Sequence, residues 1–71
     1  MSDLQETALL QRLARQPSVA DWNQLGTLRL QREAFDLALT CFQQVLQLAP
    51  DHLPSRLHRA ICLLQLGDWS T

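Results

Sequence analysis

Apolar positions recur at helical spacing along this whole chain, and three punctuation points divide the pattern into four segments. In the first, Leu9, Leu10, Leu13 and Ala14 form a stripe at spacings of three and four, which predicts a helix over about Asp3 to Arg15. Asp3 and Glu6 stand in its first turn and Arg12 and Arg15 in its last, the distribution that the helix dipole favours. Pro17 ends it. Ser18 opens a second helix that fades near Arg32, and its hydroxyl is placed to cap the first turn. Asp21 follows three residues later, a weaker relative of the capping box. Trp22, Leu25, Gly26 and Arg29 fall at i, i+3, i+4 and i+7, on one face. A glycine inside a helix costs about 1 kcal/mol relative to alanine. Its usual compensation is the close approach of another helix, so Gly26 is the expected crossing point.

The third segment runs from Ala34 or Asp36 to Ala49, with Phe35, Ala38, Phe42, Val45, Leu46 and Ala49 on one stripe, and Pro50 stops it. The link around Gln31 to Glu33 is short, and short links between helices imply antiparallel neighbours. The fourth helix starts after Asp51 and His52. Pro54 is tolerated there, because early helix positions have no intrahelical N–H bond to lose. Leu57, Ala60, Ile61, Leu63 and Leu64 are its apolar set and Gly67 its stop. Asp68-Trp69-Ser70-Thr71 resembles the opening of a further helix, with Trp69 either packed back on the fourth helix or awaiting another.

Composition supports an all-helical chain. Leu dominates, Val and Ile are scarce and Tyr is absent, whereas strands favour β-branched and aromatic residues. With 71 residues there is room for one small domain. A chain of this size buries only roughly 60% of the surface exposed when unfolded, so its stability is marginal. The formal net charge of −1 argues against a nucleic-acid or anionic-membrane footprint. No stretch approaches the roughly 18 apolar residues that span a bilayer. The acidic start, Met1 to Glu6, is unlike a signal peptide, and the expected location is cytoplasmic. The arginines come in pairs three apart, Arg12 and Arg15, Arg29 and Arg32, Arg56 and Arg59, so each pair shares a face. Such pairs serve as solvated, salt-bridged faces or as a strip that grips acidic partners.

Candidate chemistry is sparse. Cys41 and Cys62 form no CxxC motif. His58 and Cys62 at i, i+4 could face one metal, with His52 nearby, but a structural zinc site needs four ligands. Cys62 reads instead as a small buried hydrophobe and His58 as a surface residue. Ser55 and His58 lack an orienting acid, so Ser55 reads as helix-start chemistry. Gly26 and Gly67 make no phosphate loop. No catalytic, cofactor or metal site is expected, and the chain does not read as an enzyme.

A 34-residue offset relates Trp22 to Arg56, Gly26 to Ala60 and Glu33-Ala34-Phe35 to Gly67-Asp68-Trp69. The stretch Val19 to His52 resembles one whole tetratricopeptide repeat. Trp22-Asn23-Gln24-Leu25-Gly26 matches its Trp-x-x-Leu-Gly signature, Ala38 its small residue, Phe42 the aromatic four later and Pro50 the terminal proline. Leu46 and Leu48 fit the approach to that proline. The sequence departs at Arg29, where the family has an aromatic, at Val45, where it has Ala, and at Glu33-Ala34-Phe35, where many repeats have Gly-Asp-Tyr. Leu53 to Trp69 resembles the first half of a second repeat through Ala60, Leu63 and Gly67-Asp68-Trp69, with Arg56 and Arg59 replacing Trp and Leu.

The organisation this implies is an N-terminal helix over 1–17 (a cap or partial repeat), a first repeat over 18–52 and a partial second repeat over 53–71, in an antiparallel helix-turn-helix solenoid fragment. Trp22, Leu25, Gly26, Ala38, Phe42 and Pro50 would be its packing residues. The resemblance further implies a concave groove at Ala20, Asn23, Thr27, Leu30 and Gln31, continued by Pro54, Leu57, Ile61, Leu64 and Gln65. Asn23 and Thr27 stand where carboxylate-clamping members carry Lys and Asn, which disfavours a receptor for peptide carboxyl termini. Such repeats stack, and about three or more are usually needed for stability. The chain therefore reads as a fragment, the start of a longer array, or a protomer that completes its core by self-association at the C-terminal edge. The expected function is a scaffold that binds a peptide or protein. The alternative is a structural segment of a larger, possibly transferase-type, enzyme, without activity of its own.

Overall fold

The computed structural model describes residues 2–67, with side chains from residue 4 onward, and the expected start of a further helix at Asp68-Trp69-Ser70-Thr71 lies outside them. It comprises α1 (Ser2–Arg15), α2 (Val19–Gln31), α3 (Phe35–Leu48) and α4 (Leu53–Leu66), with no strand among the described residues. Each helix packs chiefly on the next in sequence: α1 on α2, α2 on α3 and α3 on α4. This is the all-helical, repeat-like arrangement of antiparallel hairpins that the periodicity predicts.

Local chemistry sets the boundaries. Ser18 is the N-cap of α2, and its Oγ accepts from the Asp21 backbone N–H at 3.1 Å. The Asp21 carboxylate does not reach back to complete a capping box; it pairs with Arg12 of α1 at 3.3 Å. At the other end of α2 the Ala34 N–H donates to the Arg29 carbonyl and the Glu33 N–H to the Leu30 carbonyl, both at 2.9 Å. That is a Schellman stop, and Glu33 holds its left-handed position at φ 61°. Glycine is the usual occupant of such a position, so this turn carries backbone strain. His52 caps α4, its Nδ1 accepting from the Ser55 N–H at 3.2 Å. Gly67 closes α4 at φ 77°.

Two clusters make the core. Leu9 and Leu13 of α1 meet Leu25 of α2 and Cys41 of α3, with Trp22 and Leu28 packed against them. Ala38 and Phe42 of α3 meet Cys62 of α4, with Leu30, Phe35 and Leu39 alongside. The α2–α3 crossing occurs at Gly26. A Cβ built there would lie 2.9 Å from the edge of the Phe42 ring and 3.1 Å from the Cys41 Cβ. Absence of a side chain is thus what lets the fully buried Phe42 ring lie against the α2 backbone.

Candidate interaction surface

The inner face of α4 is small and partly polar. Ser55 and Cys62 are fully buried, and His58 between them lies over Phe42 with ring centroids 5.0 Å apart. His58 is therefore a half-buried packing residue and not the surface residue its sequence context suggests. Ser55 also differs from expectation. Its backbone is capped by His52, while its Oγ is buried without a hydrogen-bond partner, as is Nδ1 of His58. Ser55, His58 and Cys62 sit at i, i+3 and i+7, which is the one sequence signal that could have placed them on a shared inward face.

The larger apolar residues of α4 point the other way. Leu53, Leu57, Ile61 and Leu64 are 68%, 62%, 36% and 58% exposed and form one stripe. Three of these, Leu57, Ile61 and Leu64, belong to the expected groove. A solvent-open hollow of about 710 Å³ lies at the N-terminal end of the stripe, lined by Leu53, Pro54, Arg56, Leu57, His58 and Arg59. All six residues come from α4, so it is a depression along one helix and not an enclosed cavity.

The α2 part of the expected groove is not equivalent. Gln31 is exposed, whereas Leu30 is half-buried against Ala38, Phe42 and Cys62, so it is used in packing. Asn23 and Thr27 are half-buried; Thr27 Oγ1 donates to the Asn23 carbonyl at 2.9 Å, and Asn23 Oδ1 is buried without a partner. Of the residues expected to pack the repeat, Leu25, Gly26, Ala38 and Phe42 are buried and Trp22 is half-buried. Pro50, just beyond the end of α3, is exposed and does not belong to the buried core.

Searches against protein-family models, curated proteins and solved structures found no match to this chain. The functional reading therefore stands on its own chemistry.

Charge divides the molecule unevenly. Arg29, which replaces an aromatic at its repeat position, ties three helices together. Its guanidinium lies 3.7 Å from Glu6 of α1 and donates to Cys41 Sγ of α3 at 3.5 Å. Glu6 also takes Arg32 at 3.4 Å. This role was not legible as a site, because nothing in the spacing links Glu6 to Arg29. Arg56 and Arg59 of α4, by contrast, form no ion pair among the described residues. Burial pushes the thiol pKa of both cysteines up. At Cys41 the nearby Arg29 charge and hydrogen bond act in the opposite direction without reversing the shift. Raised, buried thiols are poor nucleophiles. Among the described residues no three His, Cys, Asp or Glu side chains cluster as metal ligands. No helix of the described residues is long and apolar enough to cross a membrane.

Proposed function

We propose that this chain is a protein–protein interaction module of tetratricopeptide type, without catalytic activity of its own, working in the cytoplasm. The observation that carries the reading is the outward apolar stripe of α4. Beneath it α4 is already docked on α3 through Ser55, His58 and Cys62, so the stripe is surplus to the packing of the described helices. Isolated exposed leucines need no explanation, but a contiguous row on one helix face marks an interaction surface. The resemblance of Trp22 to Pro50 to one repeat, and the helix crossing at Gly26, support the family reading. Two free cysteines suit a reducing compartment.

Affinity capture compares the wild-type chain with Leu57→Arg. Leu57 is exposed, so the variant keeps its far-UV circular dichroism and melting temperature. The expected result is a discrete set of proteins retained by the wild type and lost by the variant. Equal capture by both, or none by either, would refute the assignment.

A further inference from the structure

We propose that the α4 face bearing Leu53, Leu57, Ile61 and Leu64 receives an amphipathic helical segment of another protein, one whose apolar stripe is flanked by acidic side chains. The proposal rests on the reading of the chain as an interaction module and names the chemistry of the partner.

Size and spacing set the first constraint. The four exposed side chains offer about 400 Å² of apolar surface. A stable dimer of globular partners buries about 800 Å² on each side. That total includes a polar rim as well as an apolar core, so area alone does not decide between a second copy and a single helix; the anchors at i, i+4 and i+7 match one helix laid along another. Its three spacings, four, four and three, are those of a helix-packing seam.

Charge sets the second. From Leu53 to Gly67 there is no acidic residue, while Arg56 and Arg59 stand without an ion pair among the described residues. Both line the same hollow as Leu53 and Leu57, with His58 at its edge. Two cations thus stand next to an exposed apolar row, and an acidic partner would offset them. Elsewhere Arg12, Arg29 and Arg32 are matched by Asp21 and Glu6, and Arg15, which forms no ion pair among the described residues, sits in the last turn of α1, where the helix dipole favours a cation. Pairing α4 with a second α4 would add two more arginines and no carboxylate, which disfavours self-association on this face.

The test uses a fluorescein-labelled amphipathic peptide with leucines spaced three and four apart and glutamates on both flanks. A second peptide carries lysines in place of the glutamates. Fluorescence anisotropy with the full chain is expected to show the acidic peptide binding roughly tenfold tighter than the basic one, with the difference shrinking in high salt. Arg56→Glu, at an exposed position, is expected to abolish that preference, and Leu57→Glu to abolish binding of either peptide. Circular dichroism verifies that both variants fold. Equal affinity for the two peptides, or no effect of Arg56→Glu, would overturn the proposal. So would a concentration-dependent doubling of solution mass that Leu57→Glu reverses, which would assign the face to a second copy. Sedimentation with phosphatidylserine-containing vesicles in the absence of peptide binding would assign it to a membrane and equally overturn the proposal. If the peptides fail while Leu57-dependent protein capture succeeds, the interaction reading survives and only the acidic chemistry is wrong.

Discussion

Replacing Gly26 with Ala sets two effects of known sign against each other. In a helix interior Ala is better than Gly by about 1 kcal/mol, so propensity alone predicts a more stable protein. The new Cβ, however, would lie 2.9 Å from Cε1 and from Cζ of Phe42 and 3.1 Å from the Cys41 Cβ. Carbon atoms pack best at about 3.5–4.0 Å, so the overlap is about half an ångström at three atoms. Neither neighbour has room to yield. Phe42 is fully buried and carries the His58 ring beside it, and the Cys41 Cβ is fixed to the α3 backbone. Forcing a methyl group into such a site costs about 1–3 kcal/mol. The net expectation is a loss of about 1 kcal/mol, a large share of the stability of so small a domain. Urea denaturation followed by far-UV circular dichroism measures it, with an unchanged slope confirming that the unfolded state is the same. A second variant separates the terms. In a Phe42→Leu background the ring-edge contacts are gone and the 3.1 Å contact with the Cys41 Cβ remains, so Gly26→Ala is expected to cost less than in the wild type, giving a coupling energy above the roughly 0.5 kcal/mol of independent sites. A gain of about 1 kcal/mol for Gly26→Ala in the wild-type background would refute the close approach at this crossing.

Four further outcomes follow from single observations. Glu33→Gly relieves a left-handed residue at φ 61° and is expected to raise stability by about 0.5–1 kcal/mol in the same urea assay, a lowered midpoint contradicting it. Ser55→Ala removes a buried hydroxyl without a partner and is expected to raise the melting temperature, by about 0.5–1 kcal/mol in stability terms; a clear loss would mean that the hydroxyl is satisfied in solution. Glu6→Gln removes the carboxylate that both Arg29 and Arg32 reach. A loss of about 1 kcal/mol, with faster amide exchange in α1 and a smaller difference at high salt, is expected, while unchanged exchange would show that Leu9 and Leu13 alone hold the helix. Burial raises both thiols above their ordinary value of 9.0, so above that pH the unfolded chain gives up its thiol protons first. Their contribution to stability is therefore complete below pH 9.0 and is lost as pH rises through the raised folded values; a midpoint that stays flat or increases there would contradict the burial of Cys41 and Cys62.

How far the sequence could be read is clearest by comparing α3 with α4. In α3 the apolar stripe has one destination: Ala38, Phe42 and Val45 are buried and Asp36, Thr40, Gln43 and Gln47 are exposed, as a period of 3.6 requires, with Leu37 and Leu48 the apolar residues left outside. The helix ends were equally legible, because Ser18, Pro50 and Gly67 act through local hydrogen bonding and backbone geometry that do not depend on the rest of the fold. In α4 the same logic names the apolar set but not its destination. Leu57, Ala60, Ile61 and Leu64 are the most hydrophobic set, yet they face outward, and Ser55, His58 and Cys62 face α3. Periodicity reports that a helix has an apolar face but not which neighbour covers it. Here tertiary contact decides: Cys62 packs with Ala38 and Phe42 of α3, and the His58 ring lies 5.0 Å from that of Phe42. The long-range ion pairs from Glu6 to Arg29 and Arg32 escaped for a related reason, since partners from separate helices leave no spacing to read. The residues that resisted reading are thus those whose position is fixed by tertiary contact. The α4 face is the informative case, because that helix keeps Ser55 and Cys62 for the core and exposes Leu53, Leu57, Ile61, Leu64 and Arg56 to solvent.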